Sequence, residues 1–283
     1  METAKTVESA GKLIRQARKK GKTIGLVPTM GALHIGHISL IEAAKKKTGY
    51  VVVSIFVNPA QFGRGEDFEK YPRPIEKDLQ ICREKGVDLV FIPDVEQMYR
   101  GENLTWVNVE KLTETLCGAS RPGHFRGVAT VCVKLFNIVG PDAAFFGQKD
   151  AQQSVIIKQV VKDLNMPLEI VVCPTVREPD GLAVSSRNQY LNPQQRKDAL
   201  CLYSALQDCL KLYRQGTTGT KILIEQMRKI IEQVPYAQID YISIVDSESL
   251  ENLKKIDRGA LVALAVKIGS ARLIDNIVLD FNE

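Results

Sequence analysis

The stretch VPTMGALHIGH, residues 27–37, leaves a short apolar run through Pro28 and sets His34 and His37 three positions apart around Gly36. One reading is a turn in which His34 caps a helix and His37 packs against a sheet. The other is a floor for nucleotide phosphates. The flanking sequence favours the second. TIGLVP (23–28) reads as a buried strand, and 35–47 reads as a helix stopped near Gly49, so the stretch is the first strand-to-helix turn. Ligands collect at the carboxyl ends of parallel strands, and helix N-termini attract phosphate. Gly31 and Gly36 permit close backbone approach. Histidines at i and i+3 project together and donate hydrogen bonds to phosphate oxygens.

Working outward, strands and helices alternate. Val7, Ala10, Leu13, Ile14 and Ala17 recur at helical spacing before Gly21. YVVVSIFV (50–57) is continuously apolar and β-branched, as a strand covered on both faces must be. A helix over 72–86, a strand over 88–93, a buried helix over 128–140, a strand at 143–147, a helix over 150–165 and a strand over 168–174 follow. Such alternation predicts βαβ units, hence an α/β fold with a Rossmann-like parallel sheet in an N-terminal domain, residues 1–176. From about residue 180 the pattern changes. One long helix over 192–216 and another near 220–233 precede apolar runs at 239–245, 260–268 and 271–280. The last two face each other across Gly269-Ser270 as a hairpin. Residues 177–283 therefore read as a smaller α+β domain.

The 38 basic and 33 acidic side chains leave a net charge of +5, too mild for a nucleic-acid binder. The basic clusters at 15–22 and 45–47 fall at helix C-termini, where cations favour the dipole. Six cysteines without a CxxC pair indicate reduced thiols and a cytoplasmic protein. There is no signal-peptide core and no apolar run long enough to span a membrane.

Two nucleotide motifs are excluded. GKT (21–23) lacks the preceding Walker glycine, since Gln16 stands there, and FGRGED (62–67) lacks a third glycine. Other stretches add chemistry to the opening one. FFGQKD (145–150) repeats the strand-turn-helix layout with Gly147 at the turn, Lys149 as a phosphate-neutralising charge and Asp150 as a helix cap or ligand contact. Gln153 lies one turn further on the same face. DGLAVSSRN (180–188) is either an interdomain linker or a mobile clamp whose serines and Arg187 grip a triphosphate. FVNPAQF (56–62) offers the Asn58 and Gln61 amides, and GASRPGHFRGV (118–128) is a glycine-rich loop with a basic tint.

PTMGALHIGH, FVNPAQF, RPGHFRGV, FFGQKD and LAVSSRN, in this order, closely resemble the pantoate–β-alanine ligase (pantothenate synthetase) family, within the HIGH-motif nucleotidylyl transferase superfamily. Val184 stands where relatives more often carry methionine or leucine. The resemblance implies ATP-dependent condensation of (R)-pantoate with β-alanine through a pantoyl adenylate, releasing AMP and pyrophosphate. It implies ATP contacts from Met30, Gly31, Ala32, Leu33, His34, Ile35, Gly36, His37, Gly147, Gln148, Lys149, Asp150, Val176, Val184, Ser185, Ser186 and Arg187. Among these, His34, His37, Lys149 and Arg187 are the catalytic groups and His37 the proton donor. Gln61 and Gln153 would grip pantoate, helped by Asn58 and Tyr71. The family is similar in using magnesium with ATP, in being cytosolic, and in forming a homodimer through the N-terminal domain. The alternatives are another HxGH transferase, cytidylyltransferase-like or a small tRNA synthetase, and a nucleotide-binding regulator without catalysis. The SSRN loop and mild charge argue against the synthetase, and intact His34, His37 and Lys149 argue against the regulator.

Overall fold

A computed structural model describes residues 1–63 and 65–280. Six strands, β1 (Glu2–Ala4), β2 (Ile24–Thr29), β3 (Tyr50–Ile55), β4 (Leu89–Phe91), β5 (Ala143–Gly147) and β6 (Glu169–Cys173), form one parallel sheet in the order β1-β4-β3-β2-β5-β6. The connecting helices are α1 (Val7–Lys19), α2 (Ile35–Lys47), α3 (Ile75–Glu84), the short α4 (Val95–Met98) and α5 (Leu116–Ser120), α6 (His124–Val139) and α7 (Ala151–Asp163). Alternate strand residues feed two separate cores. Ile24, Leu26, Val52, Ala144 and Phe146 pack with α1, α6 and α7 on one face. Val27, Val51, Val53, Ala143 and Phe145 pack with α2 and α3 on the other. Burial on both faces is why these strands carry unbroken apolar runs instead of an alternating pattern.

The chain builds outward from β2 to β3 and β4, then returns to lay β5 against the opposite edge of β2. Strand order therefore reverses at β2, and the turns that follow β2 and β5 leave side by side. That crevice is the expected place for a ligand in an open parallel sheet.

The second half contains α8 (Pro193–Asp198), α9 (Leu200–Arg214), α10 (Thr220–Ile231) and an antiparallel sheet of β7 (Gln238–Asp246), β8 (Ala260–Ile268) and β9 (Ala271–Leu279), in sequence order. The β8–β9 hairpin turns at Gly269, φ +60°. Val262, Leu264 and Val266 face α9 and α10, whereas Leu261 and Ala263 join the α1/α6 core of the first half. One strand thus serves two cores, which explains its continuous apolarity. Among the described residues no helix is long and apolar enough to cross a membrane.

Two sequence expectations need correction, and one strand was not anticipated. The helix expected over 192–216 is two helices, with a tight turn at buried Ala199 whose amide bonds both the Gln195 and Lys197 carbonyls. The glycine-rich loop expected at 118–128 already becomes helix at His124. Gly127 serves packing there and not flexibility: a Cβ would run into the Ala60 carbonyl of the 3-10 turn Pro59–Gln61. β1 is an added edge strand, and its three residues are too few to show a period.

Because backbone faces backbone at that contact, Gly127→Ala is expected to cost about 1–3 kcal/mol through overpacking. Urea unfolding measures it, and an unchanged midpoint would show that the α6 start is free to slide.

Candidate active site

After β2 the chain passes through Gly31 (φ +84°) and Ala32 (φ +50°), and the latter is unusual for a residue with a side chain. The turn is held from α3. The Asp78 carboxylate accepts the Ala32 amide at 2.8 Å and the Leu33 amide at 2.7 Å. The Gly31 amide bonds Thr29 Oγ1, whose hydroxyl donates to the Ser54 carbonyl. Asp78 is fully buried, and burial raises its pKa against the lowering effect of the two amides. The backbone donors of residues 31–33 thus point into the protein. Gly31, Ala32 and Leu33 shape the floor without lining the cavity, and Ile35 is 57% exposed and away from it.

The histidines bear out the cap of the first reading, with His37 closing the helix start and not packing on the sheet, and both rings also line a cavity. His34 is the N-cap of α2, its Nδ1 accepting the Gly36 amide at 3.1 Å, while His37 Nδ1 accepts the His34 amide at 3.3 Å. This is a capping box with imidazoles in place of the usual hydroxyl and carboxylate. Because each Nδ1 is an acceptor, each neutral ring carries its proton on Nε2. The rings lie 4.1 Å apart and line one cavity. Burial, followed by the Lys149 charge, lowers the His34 pKa to about 4. Burial, then His34 and Lys149, lowers that of His37 to about 3. The expectation of His37 as a proton donor is therefore narrowed: at neutral pH the free protein offers a neutral Nε2–H hydrogen bond.

Across the crevice, β5 runs into the 3-10 turn Gln148–Asp150. A Cβ on Gly147 would meet nothing within 4 Å, so glycine here leaves the cavity wall open. Lys149, Asp150 and Gln153 line the cavity, with Lys149 Nζ 3.9 Å from Asp150 Oδ2. Gln148 does not line it; its side-chain amide is bonded to Asn276.

Gln61 is positioned on three sides. Its Oε1 accepts from Asn58 Nδ2 at 3.0 Å, its Nε2 contacts Met30 Sδ at 3.1 Å, and its carbonyl accepts from His124 Nδ1 at 2.8 Å. Asn58 lines the cavity but has no capacity left for a ligand. Its second Nδ2 proton goes to the Gly127 carbonyl, and its Oδ1 accepts from Tyr99 and Ala60. The structure thus makes Asn58 a support for Gln61. Arg121 reaches His124 Nε2 at 3.0 Å and forks onto Glu66 at 2.7 and 2.6 Å. Burial and Arg121 lower the His124 pKa to about 4. Tyr71, 6% exposed, closes this side.

The segment read as either an interdomain linker or a mobile clamp is anchored at its start. Val184 N bonds the Val176 carbonyl, Glu178 N bonds that of Leu182, and Leu182, Ala183 and Val184 are buried. Its far end supplies Ser185, Ser186 and Arg187 to the cavity, with the Arg187 guanidinium on Asp67 at 3.2 and 3.1 Å. The cavity measures about 240 Å³. It opens onto a cleft of about 530 Å³ between the halves, with Lys149, Gln153 and Arg187 at the junction. Sequence reasoning missed Asp78 and Asn276, which lie outside every motif, and Asp67, at the end of the FGRGED stretch set aside as a phosphate loop, and it left Arg121 and His124 as background charge.

A model of the pantoate-beta-alanine ligase family matches residues 2–278. The chain is 53% identical to the pantothenate synthetase of Moorella thermoacetica, covering 100% of both chains. It is 51% identical to that of Thermotoga petrophila, covering 99% of this chain and 100% of the relative. Among solved structures, pantothenate synthetase from Thermus thermophilus superposes with a TM-score of 0.93 at 45% identity, over 98% of this chain and 99% of that one. The pantoate-beta-alanine ligase of Francisella tularensis, solved with an ATP compound and beta-alanine, gives 0.78 at 36%, over 98% and 97%. The chain belongs to the pantoate–β-alanine ligase family. Membership makes it a ligase joining pantoate to β-alanine, built on the α/β fold of its relatives.

The ligase's site geometry can be checked in two ways. Long-range ¹⁵N NMR at pH 7 should find His34 and His37 protonated on Nε2. His124, which must donate through Nδ1 because Arg121 only donates, should carry its proton there; any other pattern contradicts these contacts. Asp78→Ala leaves two buried amides unpartnered, a cost of about 1–3 kcal/mol for each. Thermal unfolding should register the loss, and a variant as stable as the parent would show that Asp78 does not hold the turn.

Proposed function

We propose that the chain activates (R)-pantoate with ATP as pantoyl adenylate and then transfers the pantoyl group to β-alanine. The observation that carries this reading is the meeting of His34, His37, Lys149, Gln153, Arg187 and Gln61 around one cavity at the reversal of strand order. A carboxylate does not acylate an amine at neutral pH until it bears a good leaving group. Pantoate, gripped by Gln61 and Gln153 beside Tyr71, attacks the α-phosphorus of ATP in line and expels pyrophosphate. The amine of β-alanine then attacks the mixed anhydride, and AMP leaves.

The nucleotide lies along Met30, Gly36, Gly147, Val176, Val184 and Ser185 to Arg187. The Nε2–H groups of His34 and His37 donate to phosphate oxygens, and Lys149 neutralises charge moving onto the leaving group. Arg187 exchanges the Asp67 carboxylate for phosphate, two partners that fit the same guanidinium fork. No enzyme nucleophile is needed. The thiol lining the cavity, Cys132, is pushed up to about 12 by burial and stays protonated.

Magnesium fits as a companion of the triphosphate. Among the described residues no cluster of three or more metal-ligating side chains exists, and Asp150 is the carboxylate along the described cavity lining. Such an ion is commonly held by phosphate oxygens, water and one or two carboxylates. Asp150 would hold it, and its charge would offset that of the phosphates. We assign residues 1–176 to ATP and pantoate binding and residues 177–283 to a covering domain. The protein is expected to be a cytoplasmic homodimer through the N-terminal domain, which sedimentation velocity checks for assembly.

The deciding assay follows pyrophosphate and AMP with each substrate omitted in turn. Pyrophosphate should require ATP and pantoate but not β-alanine in a single turnover, and AMP should require all three. Pyrophosphate release without pantoate would defeat the reading. His37→Ala should slow adenylate formation by about 10² to 10³, the usual loss for one charge-stabilising donor. Gln61→Ala should raise the KM for pantoate or lower kcat, and calorimetry showing undiminished pantoate binding in that variant would remove Gln61 from the pocket.

A further inference from the structure

The turn that carries Lys149 receives from its own neighbours a long contact, Ser154 Oγ on the Gly147 carbonyl at 3.5 Å. Neither Gly147, before the 3-10 turn, nor Asp150, before α7, makes a side-chain cap. The fastening comes from the other sheet. Asn276 on β9 donates from Nδ2 to the Gln148 carbonyl at 3.0 Å and to the Lys149 carbonyl at 2.9 Å, and its Oδ1 accepts from Gln148 Nε2 at 3.0 Å. Both protons of that amide are thus spent on two successive carbonyls of the turn. Asn276 is 5% exposed, so these bonds face little competition from water.

The asparagine is itself held rigidly. Its backbone N–H donates to Asp275 Oδ1 at 2.8 Å, and Asp275, buried, takes a bidentate pair from Arg177 at 2.6 and 2.9 Å. Arg177 lies over the Tyr203 ring at 4.9 Å and bonds the Gly181 carbonyl, which ties this post to α9 and to the segment leading to Ser185. A chain of directed contacts therefore runs from the C-terminal half to the backbone of Lys149.

We propose that Asn276 is a positioning residue for adenylate formation, fixing the turn from which Lys149 reaches the phosphates. This inference rests on the role given to Lys149 above. It makes the C-terminal sheet part of the catalytic geometry as well as a cover. A charge-stabilising group misplaced by about 1 Å costs on the order of 10²-fold in rate, so the clasp has leverage although it touches no substrate.

The test is a double-mutant cycle read by single-turnover formation of pantoyl adenylate, with the melting temperature recorded for each variant. Asn276→Asp keeps the shape and the Oδ1 acceptor but loses both donors and sets a carboxylate against two carbonyls. It should slow the step about 10-fold to 100-fold. Added to Lys149→Ala it should slow the step no further, because a residue acting through Lys149 has nothing left to position. Multiplicative losses, or an unaltered rate in Asn276→Asp, would overturn the inference. A parent-like rate in Lys149→Ala would instead overturn the assignment of Lys149. If the aspartate variant does not fold, Asn276→Ser, smaller and uncharged, enters the same cycle under the same criteria.

Discussion

β2 and β5 are hydrogen-bonded over two residue pairs only, Gly25 with Ala143 and Leu26 with Ala144, and the site depends on what happens beyond them. β2 stays paired with β3 along its whole length, through Thr29 against Ile55. Toward their carboxyl ends β2 and β5 separate, and Pro28, with no amide proton to give, sits where the partnership has already ended. The gap is the crevice. Both turns that border it carry the polar groups, since β2 is apolar through Pro28 and β5 through Phe146. A parallel sheet whose order reverses at β2 thus creates the cavity before any catalytic side chain is considered.

Shaping that cavity uses charge in an economical way. Asp78 takes up the two amides that a tight turn leaves unpaired, so the turn needs no phosphate to be stable. The first turn of α2 is closed by imidazoles and not by carboxylates. A carboxylate at either position would satisfy the helix equally well but would repel a triphosphate. An imidazole satisfies the helix through Nδ1 and keeps a donor on Nε2. Lys149 contributes in the same direction, since its charge helps keep both rings neutral and their Nδ1 atoms free to accept.

The sequence made the N-terminal sheet legible because its strands are long apolar runs and its helices have clear periods. The residues that line the cavity were legible for a related reason: they sit in turns immediately after strands, where glycines and lone polar groups stand out. What escaped was support. Asp78 lies in an amphipathic helix, where an acid ordinarily faces water, and only the folded chain brings it beneath residues 32 and 33. Asn276 lies beside Asp275 in a mostly apolar edge strand, where neither residue stands in a recognisable motif. Asn58 was visible but misread, since its four hydrogen bonds all close within the protein and one depends on Tyr99, forty-one residues away. Groups that touch a ligand are concentrated locally in sequence, whereas the groups that hold them come from anywhere.

The two arginine pairs carry this distinction further. Glu66 and Asp67 are adjacent, yet they bind arginines from opposite halves of the molecule, Arg121 ahead of α6 and Arg187 in the arm before α8. The Glu66 pair lies on the support side. It continues through His124 to the Gln61 carbonyl, so breaking it would loosen the support of Gln61. Both arginines line the cavity, but the Asp67 pair differs in that Arg187 is the one proposed to meet phosphate. A carboxylate and a phosphate present the same pair of oxygens to a guanidinium, so the proposed exchange would leave the arginine satisfied throughout, and only Asp67 would need new partners. Asp67 side-chain exposure is 25%, enough for water to take that part. The segment around residue 67 is thus tied to Arg187 through one replaceable contact and, through Arg121 and His124, to Gln61 through a fixed one, so on the proposed reading a single short stretch of chain would serve both substrates.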